Sequence, residues 1–410
     1  MTNHLHVPTT QFKTNLMVIR FFSSIDERTA SAHALLPDML LSGTNHHPTR
    51  RMLQQACEAL YDTRLRTSVM RIGKQRVTQF SVEYLDDAVA PESVSSAAIQ
   101  LLKEVLYQPL LREGQFDPGI VEREKRLMIE DMEAALENKN VVANKAFKQV
   151  LFEGEGYAID VDGTIEGIQA VTPALLMEVY HDLLSSNTLV VSVGATDPRA
   201  HLAELNLPSA PIQLIDREVS AAPLPRYVVK HSRFLQANVM IGYRTPICFD
   251  DDLYYPMILV DSILGGSQAS LLFDQVREQR SLAYSVHSSY QGAKGVMMIS
   301  AGVDPNHVVD AANVSIEQVA RMQRGEFSDE LFESAKRLWA QEIETVFDTN
   351  SGTALKTIHD WSLNRTLDVK ATIEKMNQVT RQDVVDAAKT LQLDTVFAYS
   401  PKEVVWTNES

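Results

Sequence analysis

Two stretches of this 410-residue chain echo one another about half a chain length apart, and that repeat constrains the fold more than any single motif. The segment "IQAVTPALLMEVYHDLLSSNTLVVSVGA" (168 to 195) returns as "EKMNQVTRQDVVDAAKTLQLDTVFAYS" (374 to 400). Each sets a Val-Thr pair, Val171-Thr172 or Val379-Thr380, before an amphipathic helix, so that the threonine caps it, and each ends in an apolar strand. One supersecondary unit closing both halves reads as a tandem duplication. The length agrees, because single cores seldom grow past about 250–300 residues.

Within each half, the order strand, helices, strand argues for an α+β fold: two homologous domains, each a mainly antiparallel sheet with helices packed on one face. "FKTNLMVIRFF" (12 to 22) alternates as a first strand, and "RVTQFSVEYL" (76 to 85) as a second, with Val77, Phe80 or Val82 and Tyr84 on a buried face. "TLVVSVGA" (188 to 195) follows as a buried strand. Helical stripes run from Thr49 to about Leu60, over 93 to 111 with a stop at Pro109, and onward from an Asp117 cap with Pro118 at the first position. Residues 205 to 226 are rich in Pro, Ala and Ser and lack periodicity. The expected division is 1–207, a linker over 208–226, and 227–410.

Charge and cysteine content narrow the function. A net charge of −15 without a cluster of Lys and Arg argues against nucleic acid and favours basic or unfolded peptide partners. Cys57 and Cys248 are the only cysteines, too few and too far apart for a disulfide framework or a thiolate metal site. No window reaches the ~18 apolar residues of a membrane span, and the first residues lack the pattern of a leader, so the expected place is the cytoplasm and no membrane partner is expected.

The stretch "SAHALLPDMLLSGTNHHPTR" (31 to 50) carries the chemistry in question. It resembles the start of the pitrilysin, or insulinase, family of inverted zincins, in which H-x-x-E-H precedes an apolar run and Gly-Thr. Met39, Leu40, Leu41, Gly43 and Thr44 match that tail. The resemblance then implies Ala34 at the first zinc histidine, Pro37 at the general base and Asp38 at the second histidine. In "EREKRLMIEDM" (122 to 132), Glu124 falls on the family's first acid and Asp131 on its third ligand. Zinc needs imidazoles at i and i+4 on one helix face and a carboxylate beside the bound water. Ala34 offers no ligand and Pro37 no base. His33 and Asp38, five residues apart, would point about 140° apart on a helix, and the adjacent His46 and His47 in a Pro-containing loop make poor chelators. Pro37, at roughly 3 kcal/mol in a regular helix, is expected to break this one. No catalytic residue, metal or cofactor is therefore expected.

The second half keeps more of the pattern. "LGGSQASLLFDQVREQRSLAYSVHSSY" (264 to 290) resembles the family's Gly-rich turn, helix and strand; by that resemblance Arg277 and Tyr284 hold substrate backbone and stabilise charge at the scissile carbonyl. Leu271, Leu272 and Val276 would pack the helix, and "VMMISAGV" would return as a hairpin partner after a turn at Gly292 to Gly295. The resemblance extends over nearly the whole chain, including "EALYDTRL", "YQPLLREGQF" and "GTIEGIQAVTP". It points to the zinc-ligand-lacking member of a bacterial two-chain pair, with a fold like that of the mitochondrial processing peptidase. The implied function is a non-catalytic, peptide-binding subunit that forms a heterodimer with a zinc-bearing paralogue. An alternative is a peptide-binding or scaffold protein that grips an extended segment along a sheet edge without hydrolysis. A remote one is a haloacid-dehalogenase-type phosphatase, suggested by Asp160-Val161-Asp162-Gly163-Thr164; "GGSQA" (265 to 269) mimics a serine nucleophile elbow.

Overall fold

The computed structural model describes residues 4–202, 205, 207–219, 224–363 and 368–406. They form two compact units, and neither is a contiguous half of the sequence. Unit 1 comprises Met1–Ala134, Ile159–Leu214 and Val346–Leu367; unit 2 comprises Ala135–Ala158, Ile215–Thr345 and Asp368–Ser410.

Unit 1 is built on five strands, β1 (His4–Pro8), β2 (Thr14–Ser24), β3 (Arg64–Ile72), β4 (Gln75–Leu85) and, after a two-residue hairpin of β5 (Leu111–Arg112) and β6 (Gln115–Phe116), β7 (Asn187–Gly194). The order is β1-β7-β2-β4-β3, with β1 parallel to β7 and the other pairs antiparallel. Unit 2 holds β8 (Arg226–His231), β9 (Ala237–Arg244), β10 (Ala283–Gln291), β11 (Val296–Val303) and β12 (Gln392–Ser400), in the order β8-β12-β9-β11-β10, with β8 parallel to β12. The two sheets thus share one topology, strand for strand. The sequence echo at 171 and 379 is its local trace: Thr172 caps the helix before β7 through the Leu175 amide, and Thr380 forms a capping box with Asp383 before β12.

Alternation along the central strands sends apolar side chains to both sheet faces. In unit 1, Met17, Ile19, Phe21, Phe80, Val82 and Tyr84 face a layer made by α1 (Glu27–Leu41), α2 (Arg50–Ala59), α3 (Ser95–Tyr107), the start of α4 (Pro118–Ala135), and, beyond α5 (Lys139–Leu151), α6 (Ile165–Ala170) and α7 (Pro173–Ser185). Leu16, Val18, Phe22, Val77, Leu189 and Val191 face the other way. A further core forms there with Ala354 and Ile358 of a helix from the far half of the chain, Asn350–Ser362. Unit 2 repeats the plan: Ala237, Val239, Ile241 and Tyr243 face its main core, while Met240, Met298 and Phe397 meet Ala143, Phe147 and Leu151 of α5, from the first half. Each sheet is therefore closed on its second face by one helix from the opposite half, an exchange absent from the sequence reading and the reason the units differ from a 1–207 and 227–410 division.

The remaining helices are the short α8 (Arg199–Leu202), then α9 (Tyr254–Leu264), α10 (Val308–Arg324), α11 (Asp329–Val346), α12 (the Asn350–Ser362 helix), α13 (Val369–Gln378) and α14 (Arg381–Lys389). The stretch expected to link the domains is extended but anchored: within unit 1 Pro208 accepts from the Thr188 amide and Leu214 is buried, and within unit 2 Asp216 is buried beside Lys294. Residues 220–223 of that expected linker lie outside the described residues.

One expectation fails at Pro37. The helix does not break there; α1 runs unbroken from Glu27 to Leu41 with Pro37 inside it. Eleven of its fifteen residues are buried, and that packing outweighs the lost backbone donor. Among the described residues no helix is long and apolar enough to cross a membrane.

Candidate functional site

The degenerate motif lies in unit 1. α1 buries His33, Ala34 and Pro37 and leaves Asp38 half-buried at its end. α4 carries Glu124, which is buried, and Asp131, which is exposed. Both Glu124 oxygens are already engaged: Oε1 accepts from Arg123 Nε at 3.0 Å and Nη2 at 2.7 Å, and Oε2 accepts from Arg50 Nη2 at 2.8 Å. Arg50 also reaches the Asp38 carbonyl at 3.4 Å. Burial raises the Asp38 carboxyl above its ordinary pKa, partly offset by Arg50 and reinforced by the charges of Glu124 and Asp131. A guanidinium stands among these acids, and among the described residues no group of three or more His, Cys, Asp or Glu could hold a metal ion. The residues present do not fit zinc, so no step of a reaction runs through one here.

The histidines near the motif have structural partners. His47 Nδ1 lies 2.9 Å from Glu104 Oε1, Thr44 donates to the same oxygen, and the His47 amide donates to Thr44 Oγ1 at 2.9 Å, which ties the Gly-Thr loop down. Burial alone would raise the Glu104 carboxyl, but the bonds from Thr44 and His47 outweigh it and hold its pKa below the ordinary value.

His33 Nε2 faces Asp182 Oδ2 at 3.4 Å in a buried setting. Burial, with Arg76 nearby and against the pull of Asp26 and Glu178, lowers its pKa to about 3. Between the unfolded value of 6.5 and about 3, the unfolded chain binds a proton here that the folded chain does not. Stability is present above 6.5 and lost as pH falls through that window, by up to about 1.4 kcal/mol per pH unit. Urea unfolding from pH 7 to 4 should therefore show a shallower acid loss in His33→Gln; parallel curves for the two proteins would contradict this assignment.

The rival motifs do not form their sites. Asp160 to Gly163 make a turn, in which Asp160 accepts from the Asp162 and Gly163 amides, and Thr164 caps α6. Gly163 has φ +74 and its missing Cβ would meet the Ser31 backbone at 2.7 Å, so the glycine serves close packing. A dehalogenase-type aspartate belongs at the end of a parallel strand, and none precedes this turn. Gly265 to Ala269 follow the C-terminus of α9, not a strand, so they form no nucleophile elbow.

In unit 2 the Gly-rich turn leads into the expected helix, whose Phe273–Gln279 portion is a seven-residue π-helix. Leu271, Leu272 and Val276 are buried in the main core. Arg277 lies on the outer side, 44% exposed, with its guanidinium 4.7 Å from the Phe273 ring centre and 3.7 Å from Glu278. Tyr284 is 59% exposed and sits where the β10 register slips between Ala283 and Ser285. A bulge of this kind re-aims a side chain, and β10 is an edge strand. β10 pairs with β11 through the turn at Gly292 to Gly295, where Gly295 has φ +69.

The sequence reading missed β3 and the arginines on it. "RLRTSVMRI" lacks a clean apolar alternation because the strand lies at a sheet edge with every residue at least partly accessible. The R-x-R spacing of Arg64 and Arg66 was the available signal.

Comparison with known proteins bears on the same residues. Residues 171–338 match the family described as Peptidase M16 inactive domain. The chain is 25% identical to the probable inactive metalloprotease YmfF of Bacillus subtilis (strain 168), over 97% of this chain and 95% of that one. It is 22% identical to the uncharacterized zinc protease YmxG of the same organism, over 78% and 79%. A crystal structure of a conserved protein from Enterococcus faecalis V583 superposes with a TM-score of 0.90 at 21% identity, covering 98% of this chain and 97% of that one. With Ala34, Pro37 and Asp38 at the motif and Glu124 bound by two arginines, the chain resembles inactive members of the M16, or pitrilysin, peptidases, whose inactive-domain family matches residues 171–338.

Proposed function

We propose that this chain is the non-catalytic, peptide-binding subunit of a heterodimeric zinc metallopeptidase, in which Arg277 and Tyr284 serve a site whose zinc and general base belong to a paralogous partner. The observation that carries the reading is an asymmetry. The first-half motif has lost its ligands, while the second half keeps a guanidinium and a phenol accessible on adjoining elements, one of them at the bulge of a free sheet edge. A tyrosine more than half exposed contributes little to a core, whereas a phenol and a guanidinium are suited to hydrogen-bond a carbonyl that gains charge.

The test is to mix the chain with a zinc-bearing M16 paralogue from the same cell and follow cleavage of a quenched fluorescent peptide. The chain alone gives no cleavage. Arg277→Ala or Tyr284→Phe lowers kcat/KM of the mixture by about a hundredfold each, the scale of one lost oxyanion donor. Full activity with both variants rejects the role given to these residues.

A second reading, a protein that grips an extended peptide along a sheet edge without any cutting, draws support from the free edges of β3 and β10. It predicts that labelled peptide is retained by the chain alone and stays intact with every zinc-bearing paralogue.

A further inference from the structure

The helix that carries Arg277 changes width along its length. It begins as an α-helix at Leu271 and Leu272, with the Asp274 amide donating to the Ser270 carbonyl at 3.0 Å, and then widens into the π-helix Phe273–Gln279. A wide turn takes up about one residue more than an α turn, so the side chains that follow are rotated by about 100° from where an unbroken α-helix would set them. Arg277 lies inside the wide segment. Its own contacts are loose, the Phe273 ring centre at 4.7 Å and Glu278 at 3.7 Å, so the direction of its guanidinium depends on the backbone turn beneath it.

The α-helix is much the commoner form, and a turn that departs from it needs something to hold it. Val276 packs into the core, but Asp274 borders an open cavity of about 670 Å³, shared with Ala269, Leu271, Phe327, Glu330 and Leu331, so packing gives little support on that side. Hydrogen bonds supply it. Asp274 Oδ2 accepts from Gln275 Nε2 at 2.7 Å and from Gln279 Nε2 at 2.9 Å. The second bond reports the width of the turn. Residues five apart stand about 140° from one another around an α-helix of 3.6 residues per turn, whereas i→i+5 bonding brings them one above the other. The Asp274–Gln279 bond therefore forms on the wide turn and breaks if the turn tightens. Bonds to an ionised carboxylate are also roughly twice as strong as neutral ones.

We infer that Asp274 is a positioning residue for Arg277: through Gln279 and Gln275 it holds the wide turn that aims the guanidinium. This rests on the role proposed for Arg277 above and adds the group that sets its direction.

The experiment uses the full-length chain, alone and mixed with the zinc-bearing paralogue. In the chain alone, hydrogen–deuterium exchange over 273–280 should rise about tenfold in Asp274→Ala and stay within about twofold of wild type in Asp274→Asn, which keeps an acceptor oxygen; exchange in β9 and β11 should not change in either. In the mixture, Asp274→Ala should lower kcat/KM about tenfold, Asp274→Asn should restore most of it, and Asp274→Ala should cost nothing further once Arg277 is already alanine, because the two act as one unit. Unchanged exchange in Asp274→Ala, or the same loss of kcat/KM with and without Arg277, overturns this inference and leaves the subunit reading standing. A wild-type mixture that cuts no peptide overturns the subunit reading instead, and the exchange of the chain alone then decides whether Asp274 holds the turn.

Discussion

Residues 1–207 produced without the rest of the chain are expected to give no cooperative thermal transition, to bind a hydrophobic dye, and to recover a folded signal only when 208–410 is supplied. The reason is the helix exchange. Without α12, the second face of the unit 1 sheet, with Leu16, Val18, Phe22, Val77, Leu189 and Val191 all buried in the whole chain, loses the cover of Ala354 and Ile358. At about 1.5–3 kcal/mol for each large side chain returned to water, uncovering these six costs about 9–18 kcal/mol, as much as the 5–15 kcal/mol by which a typical domain is stable. The fragment would also expose Phe147 and Leu151 of α5, whose partners Met240, Met298 and Phe397 lie in the second half. The reciprocal fragment has the reciprocal defect. A sharp transition for 1–207 alone, at the midpoint of the full chain, would contradict the exchange.

Lys294→Met is the point substitution with the largest expected loss, about 3–5 kcal/mol in urea unfolding. Lys294 is fully buried in the turn between β10 and β11, with Nζ 2.6 Å from Glu155 Oε2 and 3.1 Å from Asp216 Oδ2. Glu155 in turn accepts from Arg244 Nη2 at 2.7 Å, Arg244 Nε lies 3.3 Å from Asp394, and Asp394 meets Arg226 at 2.6 Å. Three cations and three carboxylates are thus balanced inside unit 2. They connect the segment after α5, the extended stretch at 216, and strands β8, β9 and β12.

Methionine matches the lysine stem but takes one cation away from Glu155 and Asp216 and leaves the network one positive charge short, and an uncompensated buried charge is far costlier than a missing pair. Lys294→Met with Glu155→Gln should therefore cost less than the sum of the two single changes, because each removes what the other leaves unpaired. A wild-type midpoint for Lys294→Met, or strict additivity in the double variant, would show that water or rearrangement satisfies these groups instead.

Much of the architecture was readable from local pattern because alternation and capping are local. β2 and β4 fell on apolar alternation, β7 on a short buried apolar run, α2 on its apolar stripe, α7 on its threonine cap, and the duplicated topology on the echo at Val171-Thr172 and Val379-Thr380. Pro37 was misread because helix propensity is a weak prior once eleven of fifteen residues pack into a core. β3 escaped notice because an edge strand need not alternate. At the degenerate motif, the missing ligands were visible letter by letter. The engagement of both Glu124 oxygens by Arg50 and Arg123 was not, since Arg50 lies 74 positions away.

The sequence by itself determined the duplicated α+β plan, the loss of the zinc chemistry, and the survival of an arginine and a tyrosine seven residues apart, because all three depend on residue identity and near-neighbour spacing. The tertiary structure alone decided which half completes which sheet, how five buried charges and the half-buried Arg226 balance, and which strands were left as free edges. Those depend on contacts between residues far apart in the sequence, 78 positions for Lys294 and Asp216 and 168 for Arg226 and Asp394 among them, where burial fixes the energy and no local pattern records the partner.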